Sequence, residues 1–308
     1  MIMDQFKHLA EHVIETLALN DQDRISSLYA DRWIGYKKAL TVLNVLTDIL
    51  NRPRKLRPEC LLIVGDSNMG KTTIIHEFAK KYYTQRVDDV DMNLLFLTKP
   101  VIPIQAPAKP NVKDLYINIL EHFFVPYRAT DPEAKLRNQA VHLMRKYQTK
   151  MLIIDELHNC LSGSARQQQE VMNTLKTLSN ELSLNIIGVG TREAPLILHT
   201  DAQYASRFDI VDLPRWELNE DFLRLLLSYV RLLPLKKPSD LASKEIATLL
   251  FEISEGNLGD LTRLLVECTK EAITSGKEEI TLQIIKKYSD LKPTVGARNI
   301  RHINLNRL

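Results

Sequence analysis

The chain has 308 residues and a mass of 35.4 kDa, with 44% apolar and 26% charged residues and a formal net charge of +3. That is enough to bury a sizeable core in one large domain or two, and the balance is ordinary for a soluble globular protein. Cys60, Cys160 and Cys268 lie far apart, in no CxxC or Cys/His cluster. They read as reduced thiols rather than a disulfide framework or metal site. No apolar stretch approaches the length of a membrane span, and Asp4, Lys7, Glu11 and Glu15 at helical intervals exclude a signal peptide at the N-terminus. The expected location is the cytoplasm.

Residues 1–30 read as an amphipathic helical arm, with Phe6, Leu9, Val13, Ile14 and Leu17 at helical spacing. Asp31-Arg32-Trp33-Ile34-Gly35-Tyr36 joins the arm to the core, and residues 37–50 are expected as a helix stopped by Asn51-Arg52-Pro53. The apolar run Leu61-Leu62-Ile63-Val64 then leads into Gly65-Asp66-Ser67-Asn68-Met69-Gly70-Lys71-Thr72, which fits the phosphate-binding pattern GxxxxGK[ST]. Thr73 begins a helix expected to reach about residue 85. In such a loop, backbone N–H groups and the helix dipole face the phosphates. Gly65 and Gly70 allow positive φ, Lys71 reaches the β- and γ-phosphates, and Thr72 places its hydroxyl on Mg²⁺.

Strand-like runs at 93–97 and 101–104 precede a proline-punctuated loop at 105–111, and helices are expected at 114–124 and 132–147. Met151-Leu152-Ile153-Ile154-Asp155-Glu156 is a buried strand ending in two carboxylates. Asp155 would hold Mg²⁺, and Glu156 would orient and deprotonate the attacking water. After a helix at 166–182, the run 185–189 is another strand, and Thr191 at its end is the expected sensor of the γ-phosphate. A last strand is expected at 209–213. From Trp216 onward, 219–232, 239–254, 258–275 and 281–288 are helical in period with no strand between them.

The expected fold is therefore α/β: a parallel five-stranded sheet flanked by helices, with a small all-helical lid domain. It resembles the arrangement of AAA+ P-loop ATPases. The expected divisions are a 1–30 arm, a 31–215 ATP-binding core, a 216–291 lid and a 292–308 basic tail. The AAA+ resemblance implies that Arg207, in Ser206-Arg207-Phe208, reaches a neighbouring subunit's ATP, with Arg192 in reserve. It also implies that Arg263, early in a lid helix after Glu255-Gly256-Asn257-Leu258-Gly259, contacts the phosphates. Ile34 and Tyr36 would wall the adenine, with Trp33 beside them.

Charge is unevenly spread. Residues 98–150 carry nine Lys/Arg against four acids, residues 291–308 four against none, and the first 31 residues two against six. Such asymmetry points to a polyanion on one face.

The segments Asp31–Tyr36 and the phosphate loop, then Ile153-Ile154-Asp155-Glu156-Leu157-His158, Gly188-Val189-Gly190-Thr191-Arg192-Glu193-Ala194 and Ser206-Arg207-Phe208, resemble in order and spacing the TniB/TnsC family of bacterial transposition ATPases. The resemblance covers residues 20–290 in outline. It implies an ATP- and Mg²⁺-dependent homo-oligomer, a ring or helical filament, on double-stranded DNA. It also implies a DDE transposase (TniA/TnsB-like) and a TniQ-like targeting protein as partners. The family's DNA-contacting positions correspond to Lys109, Lys113, Arg128 and Thr130, within the basic stretch. Ala129 stands where some members have a base, and Asp66 puts a carboxylate in the phosphate loop, unfavourable for ATP unless it points away. Two other readings stay open: an initiator or helicase loader of the Orc/Cdc6 type, and an ATP-locked structural adaptor with incidental hydrolysis. The first would be expected to carry a winged-helix domain after the lid.

Overall fold

A computed structural model of the chain describes residues 6–55, 57–89, 94–200 and 206–291. The basic tail and its Arg298, Arg301 and Arg307 lie outside the described residues. In chain order the strands are β1 (Cys60–Gly65), β2 (Gln85–Asp89), β3 (Leu94–Thr98), β4 (Val101–Gln105), β5 (Met151–Asp155), β6 (Asn185–Gly190) and β7 (Phe208–Leu213). The α-helices are α1 (Glu11–Ile14), α2 (Asp21–Ser27), α3 (Lys37–Asn51), α4 (Lys71–Tyr82), α5 (Val112–His122) and α6 (Glu133–Lys146). They continue with α7 (Ala165–Leu182), α8 (Glu220–Leu232), α9 (Lys244–Ser254), α10 (Leu258–Thr274) and α11 (Leu282–Lys286). By contact the chain forms two units. One is Lys37–Asp66 with Gly70–Pro214, and the other holds the described residues of Met1–Tyr36, Ser67–Met69 and Arg215–Leu308.

In the first unit five strands form one sheet of order β4-β5-β6-β1-β7, with every neighbouring pair parallel. β1 is buried at every position and β5 at all but its last, as apolar runs covered on both faces require. Leu62, Val64, Ile102, Leu152 and Ile154 enter a core shared with Leu115, Ile119, Leu136 and Leu175 of α5, α6 and α7. Leu61, Ile63, Ile153 and Ile187 are buried as well, and α4 packs on β1 and β6. Each such side chain contributes roughly 1.5–3 kcal/mol by leaving water. The register pairs Gln105 with Asp155, Ile154 with Gly188, Val64 with Gly190, and Gly65 with Leu213. Gly65, Asp155 and Gly190 thus end their strands along one edge, where ligands bind in open α/β sheets.

The strand expected at 93–97 is observed as β3, but it does not join this sheet. It pairs antiparallel with β2, a strand absent from the sequence expectation, in a separate two-stranded sheet. Helix α4 stops at Tyr82, short of residue 85.

In the second unit α8, α9 and α10 enclose Phe222, Leu225, Leu226, Leu250, Leu264 and Leu265 beside Trp216. Asn219, Asn257 and Thr281 cap the N-termini of α8, α10 and α11 with their side chains, as short polar residues do. The described part of the N-terminal segment is no separate arm. His8 Nε2 lies 3.1 Å from the Leu235 carbonyl, and Arg24, 1% exposed, donates to both carboxylate oxygens of Glu278 and to the Pro234 carbonyl. Residues 31–36, expected with the ATP-binding core, group here too. The single long helical period is broken by a 3₁₀ turn at Glu15–Ala18.

All three cysteines are free and buried, and burial pushes their thiols up to about 11, 11 and 12 for Cys60, Cys160 and Cys268. Among the described residues no helix is long and apolar enough to cross a membrane.

Candidate nucleotide site

The phosphate loop leaves β1 at Gly65 and enters α4 at Lys71. Gly70 has φ +80°, the left-handed conformation that a glycine takes without steric cost. Gly65 is needed for a different reason than the one expected. It has no positive φ, but a Cβ there would lie 2.7 Å from the Leu213 carbonyl oxygen on β7. The second left-handed residue of the loop is Asn68, with φ +62°.

Lys71 is 7% exposed, and its Nζ donates to the loop's own carbonyls, Gly65 O at 2.9 Å and Asp66 O at 2.7 Å. Burial lowers the Lys71 pKa, against the opposing charges of Glu156, Asp155 and Asp66. The Thr72 hydroxyl donates to Asp155 Oδ2 at 2.7 Å, which joins the two sequence motifs directly. A hydroxyl and a carboxylate so close are the hard oxygen donors that Mg²⁺ takes beside phosphate oxygens, so the pair fits the ion expected from the sequence. Thr73 follows on the exposed side of α4. Glu156 takes a left-handed conformation, φ 56° and ψ 35°, and its Oε2 lies 3.2 Å from His158 Nε2. The Thr191 hydroxyl, just beyond β6, is buried with no hydrogen-bond partner among the described residues. A donor left so costs free energy unless something else satisfies it.

The carboxylate of Asp66 does not stand alone in the loop. Arg192 Nε donates to its Oδ1 at 2.9 Å, and Arg192 Nη2 lies 3.7 Å from Asp212. Arg192, the reserve arginine, is thus engaged within its own unit. Arg207 donates to the side chain of Asn180 at 3.0 Å, on an exposed part of the same unit.

In the helical unit, Ser67, Asn68 and Met69 form the tip of the phosphate loop. Asn257 Nδ2 donates to Ser67 O and Gly259 N to Asn68 O, both at 2.9 Å. A Cβ at Gly259 would come within 2.7 Å of Asn68 Cβ. The sequence expectation assigns no role to Asn257 or Gly259, although the run Gly256-Asn257-Leu258-Gly259 is the signal that marks them. Arg263 lies half-buried farther along α10. Ile34 and Tyr36 pack on this unit's core, with the Tyr36 ring edge-on to Trp216 at 5.0 Å and its hydroxyl 3.4 Å from the Met69 carbonyl.

The four DNA-contact positions lie in the α/β unit. Lys109, Arg128 and Thr130 are exposed, and Lys113 Nζ donates to the Ala129 carbonyl at 2.6 Å. That bond brings the start of α5, capped by Asn111, against the loop holding Arg128 and Thr130. Asp131, next in the chain, is paired with Lys135 at 2.8 Å.

A family model described as bacterial TniB protein matches residues 24–218. No curated protein matches the chain. Among solved structures, Cdc6p of Pyrobaculum aerophilum is similar with TM-score 0.60 and 13% identity, over 88% of this chain and 70% of that one. The Aeropyrum pernix Orc1 protein, solved in complex with DNA, gives 0.53 and 14% over 85% and 68%. Hsp104 of S. cerevisiae, in an ADP complex, gives 0.54 and 16% over 88% and 44%. At such identities the likeness is one of fold: the α/β unit is that of an AAA+ P-loop NTPase.

Proposed function

Because the chain belongs to the TniB family, we propose that it is an ATP-hydrolysing regulator of transposition that assembles on duplex DNA. The observation that carries the nucleotide reading is the 2.7 Å bond from Thr72 to Asp155, which unites loop and acidic strand beside Lys71. Lys71 turns its amine from the loop carbonyls to the phosphates when ATP is bound. Thr72 and Asp155 would hold Mg²⁺, whose charge would stabilise the phosphoryl group. Glu156 orients the attacking water and takes its proton, and Thr191, with its unsatisfied hydroxyl, bonds that water or the γ-phosphate. Arg192 neutralises Asp66, so the loop's field stays favourable to an anion.

Ile34 and Tyr36 wall the adenine in this reading, Arg263 reports the phosphates, and Arg207 completes the site of a neighbouring copy. Lys109, Lys113, Arg128 and Thr130 follow the DNA backbone without reading bases. The assembly recruits a DDE transposase and answers to a TniQ-like targeting protein.

The test is ATP turnover by the full chain with Mg²⁺, with and without duplex DNA, beside Glu156→Gln. The wild type should hydrolyse ATP faster on DNA, while Glu156→Gln should bind ATP, turn it over at least about a hundredfold more slowly and stay on DNA. No turnover by the wild type, or full turnover by Glu156→Gln, would sink the reading.

A further inference from the structure

β6 reads Asn-Ile-Ile-Gly-Val-Gly, and its two glycines fall on one face of the strand. That face receives the turn after β5. A Cβ on Gly188 would lie 2.5 Å from Leu157 Cδ2, while one on Gly190 would crowd Ala194 Cβ at 2.8 Å and only touch His158 N and Nδ1 at 3.4 Å. Leu157 is fully buried in the space that Gly188 leaves, so the 3₁₀ turn Leu157–Ser162 is anchored at its first residue. The chain before it must then bend sharply. Glu156 does so in the left-handed conformation, and its carbonyl accepts from Asn159 N at 2.9 Å.

This places His158 in a fixed relation to the carboxylate two residues earlier. Its ring lies against Gly190, one residue from Thr191, with Nδ1 buried and Nε2 3.2 Å from Glu156 Oε2. The two side chains are thus at ion-pair distance from each other. Glu156 follows Asp155 directly at the end of β5, its N–H donates to Asp155 Oδ1 at 2.8 Å, and Asp155 Oδ2 accepts from Thr72 of the phosphate loop at 2.7 Å, so the residue beside His158 stands next to the Thr72–Asp155 pair. A glutamate side chain has three free torsions, and one fixed neighbour at ion-pair distance removes part of that freedom.

We infer that His158 is a positioning residue for the hydrolytic step: it restrains the Glu156 carboxylate beside the Thr72–Asp155 pair, and Gly188 is the space that seats the turn carrying it. The inference rests on the reading of Glu156 as the base. On that reading the proton of the attacking water goes to Glu156, and His158 acts only through it.

The experiment compares wild type, His158→Phe, His158→Gln, Glu156→Gln and the double variant His158→Phe/Glu156→Gln, as full chains with Mg²⁺ and duplex DNA. Loss of an orienting partner should lower kcat about tenfold in His158→Phe, with ATP affinity and KM unchanged. His158→Gln, which keeps an N–H donor, should recover most of that loss. In the Glu156→Gln background, His158→Phe should cost nothing further, since the carboxylate it orients is gone. Turnover within twofold of wild type in His158→Phe would overturn the inference. So would faster turnover, a loss His158→Gln does not restore, or a loss undiminished in the double variant. If Glu156→Gln itself keeps full turnover, the assignment of the base falls instead, and this inference falls with it.

Discussion

Glycine 65 shows how one position can satisfy a motif for an unexpected physical reason. Its backbone conformation is open to any residue, but the β7 carbonyl leaves no room for a methyl group. Gly65→Ala should therefore destabilise the α/β unit by about 1–3 kcal/mol, read as a fall in Tm of several degrees. A full-stability Gly65→Ala would mean that β7 can retreat from β1 without cost. Most of the candidate site's arrangement was legible in the sequence at this scale. Lys71, Thr72, Asp155 and Glu156 needed only a buried strand before or beneath them, and apolar runs announce such strands. The reason for Gly65 was not legible, because it depends on which strand lies beside β1. Nor was the Asp66–Arg192 pair: residues far apart in sequence meet only through the strand order, and that order answers the concern a carboxylate in the loop had raised.

Among the elements, α2 packs on the helical unit and carries its buried ion pair, Arg24 with Glu278. Burial alone would raise the Glu278 pKa, but hydrogen bonds from Arg24 and from Lys236 N outweigh it and bring the carboxyl down to about 2. A carboxyl with a depressed folded pKa contributes stability above its ordinary value of 4.5 and loses it as pH falls toward 2. Arg24→Ala should cost about 3–5 kcal/mol at neutral pH, because Glu278 would be left without its main partner. Its stability should also fall less steeply than the wild type's between about pH 4.5 and 2. Denaturant midpoints across that range check both. The start of α5 carries a second expectation. Lys109→Ala with Lys113→Ala should weaken binding to duplexes of every sequence alike, and each lost phosphate contact should reduce the slope of log affinity against log salt by about 0.9. Parallel lines of equal affinity for wild type and variant would place DNA elsewhere. The elements themselves were mostly readable from period and composition, α7 and α10 nearly to the residue. β2 was not, since Gln85-Arg86-Val87-Asp88-Asp89 lacks an apolar run and is a strand only through its pairing with β3. The N-terminal arm misled because its helical period continues through a 3₁₀ turn, none of whose residues is buried.

For the whole molecule, the decisive question is whether one copy completes another's site. Arg207→Ala should bind ATP as wild type does yet lose DNA-stimulated hydrolysis. Mixed with Lys71→Ala, which should bind no ATP, it should regain part of the activity, because some interfaces then pair an intact loop with an intact arginine. No recovery at any ratio, with mixed oligomers shown to form, would put Arg207 in service of its own subunit. The burial of the thiols makes such an assembly unusually easy to watch. With Cys60, Cys160 and Cys268 shielded and held far above neutral in their ionisation, none offers a thiolate to a maleimide while the chain is folded. A cysteine introduced at exposed Glu220, outside the proposed sites, would be the one site to take a dye, with no native cysteine removed, and fluorescence could then follow subunits gathering on DNA in real time. The same silence serves as a fold assay: labelling of the unmodified chain would count molecules that have opened.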